Sequence, residues 1–441
     1  VAIIVFCIHP ITGSINASLK IARELRCNGH RIFYIGLPQS KKTVHRSGFD
    51  FISIFSKWFP ECNESYKGST GLSRIMTTRK YVKYLKRFID ALMLGEDKEF
   101  FELINQLRPD MMVIVATHYD SFLWGLLAYK AGLKSVYLHD TLCKSKRLGT
   151  PPITTALTPE NSVSYQFIVQ LEWMIFYFKD FFYSTIIGIC LSKNYGVKKL
   201  CEHYGYPIDL VDLSTDMLGP KIKLTELVLC PKYFDFPSYN EVGRYYIGAS
   251  IDLERTEPNF CWEIVDKDKP LVYCSLGSLE YLPKTKKIKF FQTVIAVAQQ
   301  KINDTWIISV GNELDISRFY NVADNVILVN YAPQLSILKR ASVIITHGGT
   351  NTIKECILFG VPMIVFPLGF DHPGNAARVV YHGLGICGDL KTLTTTGLIN
   401  MLEMIKKTSY FRERISFMRK EFESAELENK GVELINEILA I

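Results

Sequence analysis

Two tandem doubly wound α/β domains facing a deep cleft are the fold this sequence predicts, and three observations predict it. The chain has 441 residues, too many for one comfortable core, so two domains of about 200 residues are expected. Short apolar runs alternate with helix-period segments from the first residue onward. Between about Pro237 and Thr256 that alternation lapses into Pro, Gly and charge, the mark of a linker between two such series.

The first series opens with a strand over Ala2–Ile8, followed by a loop holding Gly13. Apolar residues then recur at helical spacing from Ile15 to Cys27, Asn28-Gly29 stops the helix, and Arg31–Gly36 is the next strand. This βαβ unit implies parallel strands and a right-handed crossover. Met111–Ala116 and Ser135–Leu138 repeat it with a helix over Ser121–Ala131, while Lys57 to Lys80 is polar and reads as a loop excursion. The second series has strands at Leu271–Ser275, Thr305–Val310, Val326–Val329, Ser342–Thr346 and Met363–Phe366, with a helix over Lys287–Gln300. The expected domains are therefore residues 1–240 and 258–405, with helices over 410–441 crossing back onto the first.

Apolar residues make up 48% of the chain, enough for large cores and too many for a disordered protein. The net charge of +7 suits an anionic ligand or an acidic membrane surface, but the basic residues are scattered and form no nucleic-acid stripe. Eleven cysteines include no C-x-x-C pair and no zinc spacing, which points to a reducing cytoplasm. No charged leader precedes the first strand, so no signal peptide is expected. Tyr165 to Cys190 is apolar and aromatic, yet Glu172, Lys179 and Asp180 interrupt it and argue against a spanning helix. Two readings stand for it: a buried helix pair, or an apolar acceptor pocket or patch that touches lipid. The sequence does not set the oligomeric state.

The chemistry concentrates at Thr346-His347-Gly348-Gly349-Thr350. A strand ends at His347, the glycine pair lets a phosphate approach the backbone, and a helix begins near Thr350–Thr352. Free N–H groups and the helix dipole make that terminus an anion site. Glu355 lies one turn beyond Asn351 on the same face, where a carboxylate could accept bonds from vicinal ribose hydroxyls. Gly360-Val361-Pro362 ends the helix, and the next strand leads to Asp371, His372 and Asn375, placing two loops side by side at one sheet edge.

At these residues the chain resembles the UDP-glycosyltransferase superfamily, the inverting enzymes of GT-B architecture. The matching elements are Tyr331-Ala332-Pro333-Gln334, Thr346-His347-Gly348-Gly349, Asn351-Thr352, Glu355, Gly360-Val361-Pro362, Asp371-His372-Pro373-Gly374-Asn375-Ala376 and the turn Ser275-Leu276-Gly277-Ser278. The resemblance implies a UDP-sugar as co-substrate, with no other cofactor and no metal. It implies that Tyr331 stacks on uracil beside Ala332, that Gln334 reaches ribose or base, and that Glu355 holds both ribose hydroxyls. His347, Ser278, Asn351 and Thr352 would bind the diphosphate and Asp371 with His372 the sugar hydroxyls, while Ser275, Gly277, Gly349 and Thr350 would complete the donor site. His372 replaces the family's usual glutamine, and the choice between glucose and galactose stays open. Phe370 to Gly385 looks most like bacterial carotenoid and macrolide glycosyltransferases, which leans toward an apolar small-molecule or lipid acceptor.

The resemblance breaks in the first half. The family's first loop reads G-H-x-x-P, with histidine as general base; here it reads Gly13-Ser14-Ile15-Asn16-Ala17. A serine hydroxyl is no base near neutral pH without a partner. Asp120, then His139, then His9 are the candidates to replace it, with His118 and Asp140 nearby, all on loops at the carboxyl ends of parallel strands. Ser14 also leaves open a nucleotide-sugar-binding auxiliary protein without transferase activity. Asp266-Lys267-Asp268 spells a metal signature of another fold but sits in a charged segment, where a solvated turn is expected. The first βαβ unit lacks G-x-G-x-x-G, which speaks against a nicotinamide dehydrogenase.

Overall fold

A computed structural model describes residues 1–59, 83–116, 120–142, 146–186, 195–213, 219–237, 242–277 and 282–440. Ser278 and His118 lie outside the described residues. The first sheet runs β3-β2-β1-β4-β5-β6-β7, with β1 Ile3–Ile8, β2 Arg31–Gly36, β3 Asp50–Ser53, β4 Met111–Val115, β5 Lys134–His139, β6 Thr225–Val228 and β7 Arg244–Tyr246. The second runs β10-β9-β8-β11-β12-β13, with β8 Leu271–Ser275, β9 Thr305–Ser309, β10 Val326–Val329, β11 Ala341–Thr346, β12 Met363–Val365 and β13 Gly385–Cys387. Every pairing between these strands is parallel.

Parallel strands covered on both faces carry near-continuous apolar sequence, and Ile4 to Cys7 of β1 are fully buried. The helix Thr12–Cys27 turns Ile15, Leu19 and Ala22 inward at i, i+4 and i+7. Strand order reverses between β1 and β4 in one sheet and between β8 and β11 in the other. Such reversals open a crevice at the strands' carboxyl ends, where ligands of open α/β sheets bind.

The two units are locked by buried polar contacts. Asp235 receives Arg378 (Nη2–Oδ1 2.5 Å) and Arg147 (Nη1–Oδ2 2.9 Å) and accepts from the Tyr246 hydroxyl at 2.6 Å. Lys354 donates to the carbonyls of Leu229 (2.9 Å) and Ala249 (2.7 Å). The helix Ser409–Leu427 buries Ile415, Met418 and Phe422 beside Ile353 and Cys356 of the second unit, and the helix Lys430–Ala440 lies on the first. Val432 and Ile435 enter its core beside Ile21 and Leu25, and Lys134 Nζ donates to the Leu439 carbonyl at 2.9 Å.

Two expectations need correction. The supposed linker contains β7, registered Glu226↔Arg244 on β6, so the first sheet continues past residue 240. A three-residue edge strand beside Gly243 is too short to show a period. Tyr165 to Cys190 does not form a buried helix pair over its described part: Val163–Ile186 is one helix. It buries Tyr165, Val169 and Trp173 but exposes Phe167, Leu171, Met174 and Phe178. Both faces are apolar, so periodicity could not distinguish inside from outside. Among the described residues, no helix is long and apolar enough to cross a membrane, and the described cysteines are free thiols.

Candidate active site

His9 follows β1 directly, and Asp120 opens the helix Asp120–Lys130 after the neighbouring β4. Their side chains, both buried, meet with His9 Nδ1 2.6 Å from Asp120 Oδ2. The Tyr84 hydroxyl donates to the same carboxylate oxygen at 3.2 Å, and the Tyr84 ring stands edge-on to the imidazole at 5.6 Å. A carboxylate on Nδ1 fixes that nitrogen as the N–H donor and puts the lone pair on Nε2. Two of the three candidate bases are thus partners. Ser14 is buried in the first turn of the helix Thr12–Cys27.

His139 is not brought to this pair. It ends β5, one strand further along, with Nε2 3.1 Å from Glu226 Oε2. Lys221 and Arg244 also pair with Glu226. Burial pushes the His139 imidazole down to about 4 against the opposing pull of Glu226, so it is neutral at pH 7.

Across the cleft, β11 delivers His347 and the glycine loop to the helix Thr350–Phe359, whose amino end is Gly349 and whose carboxyl end is Gly360 in the left-handed region. The His347 ring is clasped between two glycines: a Cβ on Gly277 would lie 2.4 Å from it, and one on Gly349 2.6 Å. Gly277 also has φ of +76°, and its N–H donates to Ser275 Oγ at 3.2 Å. The His347 and His372 rings meet at 4.6 Å. Burial first, then the neighbouring His372, holds His347 well below its ordinary range; burial lowers His372 as well. Burial thus disfavours the charged form of both rings.

Asp371 and Asn375 organise the adjacent loop. Asp371 Oδ2 accepts from Thr350 Oγ1 and from Asn375 Nδ2, each at 2.9 Å, and Asn375 also donates to the Gly348 carbonyl at 3.0 Å. The first domain closes on this face from two sides. Asn351 Nδ2 donates to the Gly13 carbonyl at 2.8 Å, and Gly374 N–H to the Ile153 carbonyl at 2.7 Å.

At the far end, Gln334 Nε2 donates to Glu355 Oε2 at 2.6 Å and contacts Thr352 Oγ1 at 3.3 Å. Tyr331 is exposed after β10, with Ala332 buried beside it. Sequence reasoning missed two residues here because both fall in the segment taken as linker. Arg255 Nη1 donates to Glu355 Oε1 at 2.5 Å. Glu257 accepts from the N–H groups of Leu335 (2.7 Å) and Ser336 (3.0 Å), capping the helix Gln334–Leu338. No spacing rule connects either one to Glu355. Asp266 and Asp268 form an exposed turn, Asp268 N–H donating to Asp266 Oδ1 at 3.0 Å.

A family model described as UDP-glucoronosyl and UDP-glucosyl transferase matches residues 50–421; the match begins beyond the loop carrying His9 and Ser14. UDP-glucuronosyltransferase 1-2 of Mus musculus is 23% identical over 445 residues, 92% of this chain and 76% of that one. NDP-glycosyltransferase YjiC of Bacillus licheniformis is 23% identical over 446 residues, 98% of this chain and 96% of that one. The solved structure of the glycotransferase of kitacinnamycin superposes with a TM-score of 0.71 at 20% identity, covering 99% of each chain, and at that identity shows a shared fold.

Proposed function

This chain belongs to the UDP-glucoronosyl and UDP-glucosyl transferase family and is a glycosyltransferase; from that premise we propose that it moves a hexose from a UDP-sugar to an apolar acceptor with inversion, using His9 as general base. The observation that carries the proposal is the buried His9–Asp120 contact of 2.6 Å beyond the carboxyl ends of β1 and β4. His9 Nε2 takes the proton from the acceptor hydroxyl as its oxygen attacks the anomeric carbon. The bond from that carbon to the β-phosphate oxygen breaks, and UDP leaves from the opposite face. Asp120 accepts from Nδ1–H and stabilises the imidazolium that forms. An α-linked donor therefore yields a β-glycoside.

Charge on the departing diphosphate is met by the amino end of the helix Thr350–Phe359, with His347, Asn351 and Thr352 beside it. These groups do the work a cation does elsewhere, so the proposed reaction is metal-independent. Asp371 and His372 face the sugar hydroxyls, and Tyr331, Gln334 and Glu355 the uridine. Aromatic rings around the base support an apolar acceptor: Tyr84 packs on His9 and Phe59 on Tyr84 at 5.2 Å. The exposed apolar side of the helix Val163–Ile186 supports peripheral contact with a lipid surface.

The test is incubation with UDP-sugars and a panel of phenolic, terpenoid and macrolide acceptors, with product followed by mass. UDP binding without any glycosylated acceptor would sink the transferase mechanism and favour a binding-only role.

A further inference from the structure

Glu355 is buried, with its side chain only 3% exposed, and each of its carboxylate oxygens already accepts one bond, Oε1 from Arg255 and Oε2 from Gln334. A carboxylate oxygen has two lone-pair sites, so one remains on each for a further donor. Arg255 comes from the interdomain segment, outside both sheets, and is the more exposed partner at 16%. Its segment is pinned two residues on, where Glu257 caps the helix that begins with Gln334. The charges of Glu355 and Glu257 and the Tyr331 hydroxyl all act on its guanidinium. The interdomain segment therefore lies against the cluster of Gln334 and Glu355, with Tyr331 near the Arg255 guanidinium.

We infer that Arg255 is a positioning residue for ribonucleotide selectivity: it fixes the Glu355 carboxylate so that its remaining lone pairs face the 2′- and 3′-hydroxyls of the donor's ribose. The inference rests on the proposed uridine site and adds a residue from the linker to it. A neutral side chain at 255 leaves the carboxylate held from Gln334 alone. The carboxylate then turns, and the paired geometry that rewards the 2′-hydroxyl is lost.

The experiment is calorimetric titration of the full chain with UDP and with 2′-deoxy-UDP, in wild type, Arg255→Gln and Arg255→Lys. Wild type is expected to favour UDP by about tenfold or more, the worth of one charge-assisted hydrogen bond. Arg255→Gln should narrow that preference to less than about threefold, and Arg255→Lys, which keeps the charge, should recover part of it. Weaker binding of both nucleotides with the preference intact would assign Arg255 a purely structural part and overturn the inference. Equal binding of both nucleotides by wild type would overturn it as well, by removing the ribose role of Glu355. Wild type that binds neither would instead bring down the nucleotide site itself. Circular dichroism and melting of each variant identify any that fail to fold, and Arg255→Lys then carries the comparison.

Discussion

His9 and Asp120 meet at 2.6 Å where the strand order of the first sheet reverses, on the ends of two adjacent parallel strands. Removing a positioned base costs about 10² to 10⁴ in rate. His9→Ala and Asp120→Ala should therefore lose kcat by at least about a hundredfold, with little change in UDP affinity. Ser14→Ala should stay within a few-fold of wild type, because the proposed base is His9. Steady-state kinetics on any acceptor the enzyme accepts checks all three. A wild-type rate in His9→Ala would end the assignment.

The glycine clasp on His347 makes a second prediction. Alanine at Gly277 would place a methyl 2.4 Å from the imidazole and demand a left-handed backbone from a side-chain-bearing residue. The ring must move, and the diphosphate contact proposed for it would move with it. Gly277→Ala should weaken UDP at least about tenfold and lower stability by about 1–3 kcal/mol. Gly360→Ala is the control: its φ is also positive, at +69°, but a Cβ there meets nothing within 4 Å. It should cost stability alone. Equal UDP affinity in both variants would discount the clasp.

Much of this was readable in the residues, and the failures have physical causes. The loops after β11 and β12 were legible because one short stretch, from β11 to Asn375, carries turn, helix start and polar groups in fixed order. The alternation of strands gave both sheets, since parallel strands buried on two faces announce themselves as apolar runs. The His9–Asp120 pair was harder. His9 and Asp120 are 111 positions apart, and only the adjacency of β1 and β4 unites them. Arg255 was invisible because a salt bridge across the linker has no period and no spacing. The helix Val163–Ile186 admitted two readings, of which the buried pair failed, because neither of its faces is polar enough to mark the outside.

The Asp235 cluster predicts where the two units are held together. Asp235 and Arg378 are each about 1% exposed, and Arg147 shares the carboxylate. Arg378 also lies 4.1 Å over the Phe236 ring. Burial opposes ionisation of Asp235, but the two guanidinium groups overcome it and hold the carboxyl far below its usual range. Breaking a buried pair from one side leaves charge without a partner, at about 3–5 kcal/mol. Asp235→Ala should lower the melting temperature by several degrees and expose the interdomain seam to protease. Arg147→Ala, which leaves the Asp235–Arg378 pair in place, should cost less. A single unchanged transition in Asp235→Ala would refute the cluster's importance.

Acid should weaken the fold before its carboxylates titrate, and His382 isolates the effect. Its Nε2 lies 3.0 Å from the Phe234 carbonyl, and burial pushes its imidazole down to about 4, with Arg414 adding to the shift and the Phe234 bond opposing it. In the unfolded chain a histidine binds its proton near 6.5. The unfolded state therefore holds more protons than the native one between about pH 6.5 and 4, and stability must fall as pH drops through that window. The loss from this one residue between pH 7 and pH 5 is about 2 kcal/mol. His382→Gln places an amide near the same carbonyl and has no proton to bind. Denaturant melts at pH 7 and pH 5 should show the variant losing about 2 kcal/mol less than wild type over that interval. An identical acid loss in the two proteins would mean that His382 is already protonated in the native state, and that its burial against Phe234 does not hold it neutral.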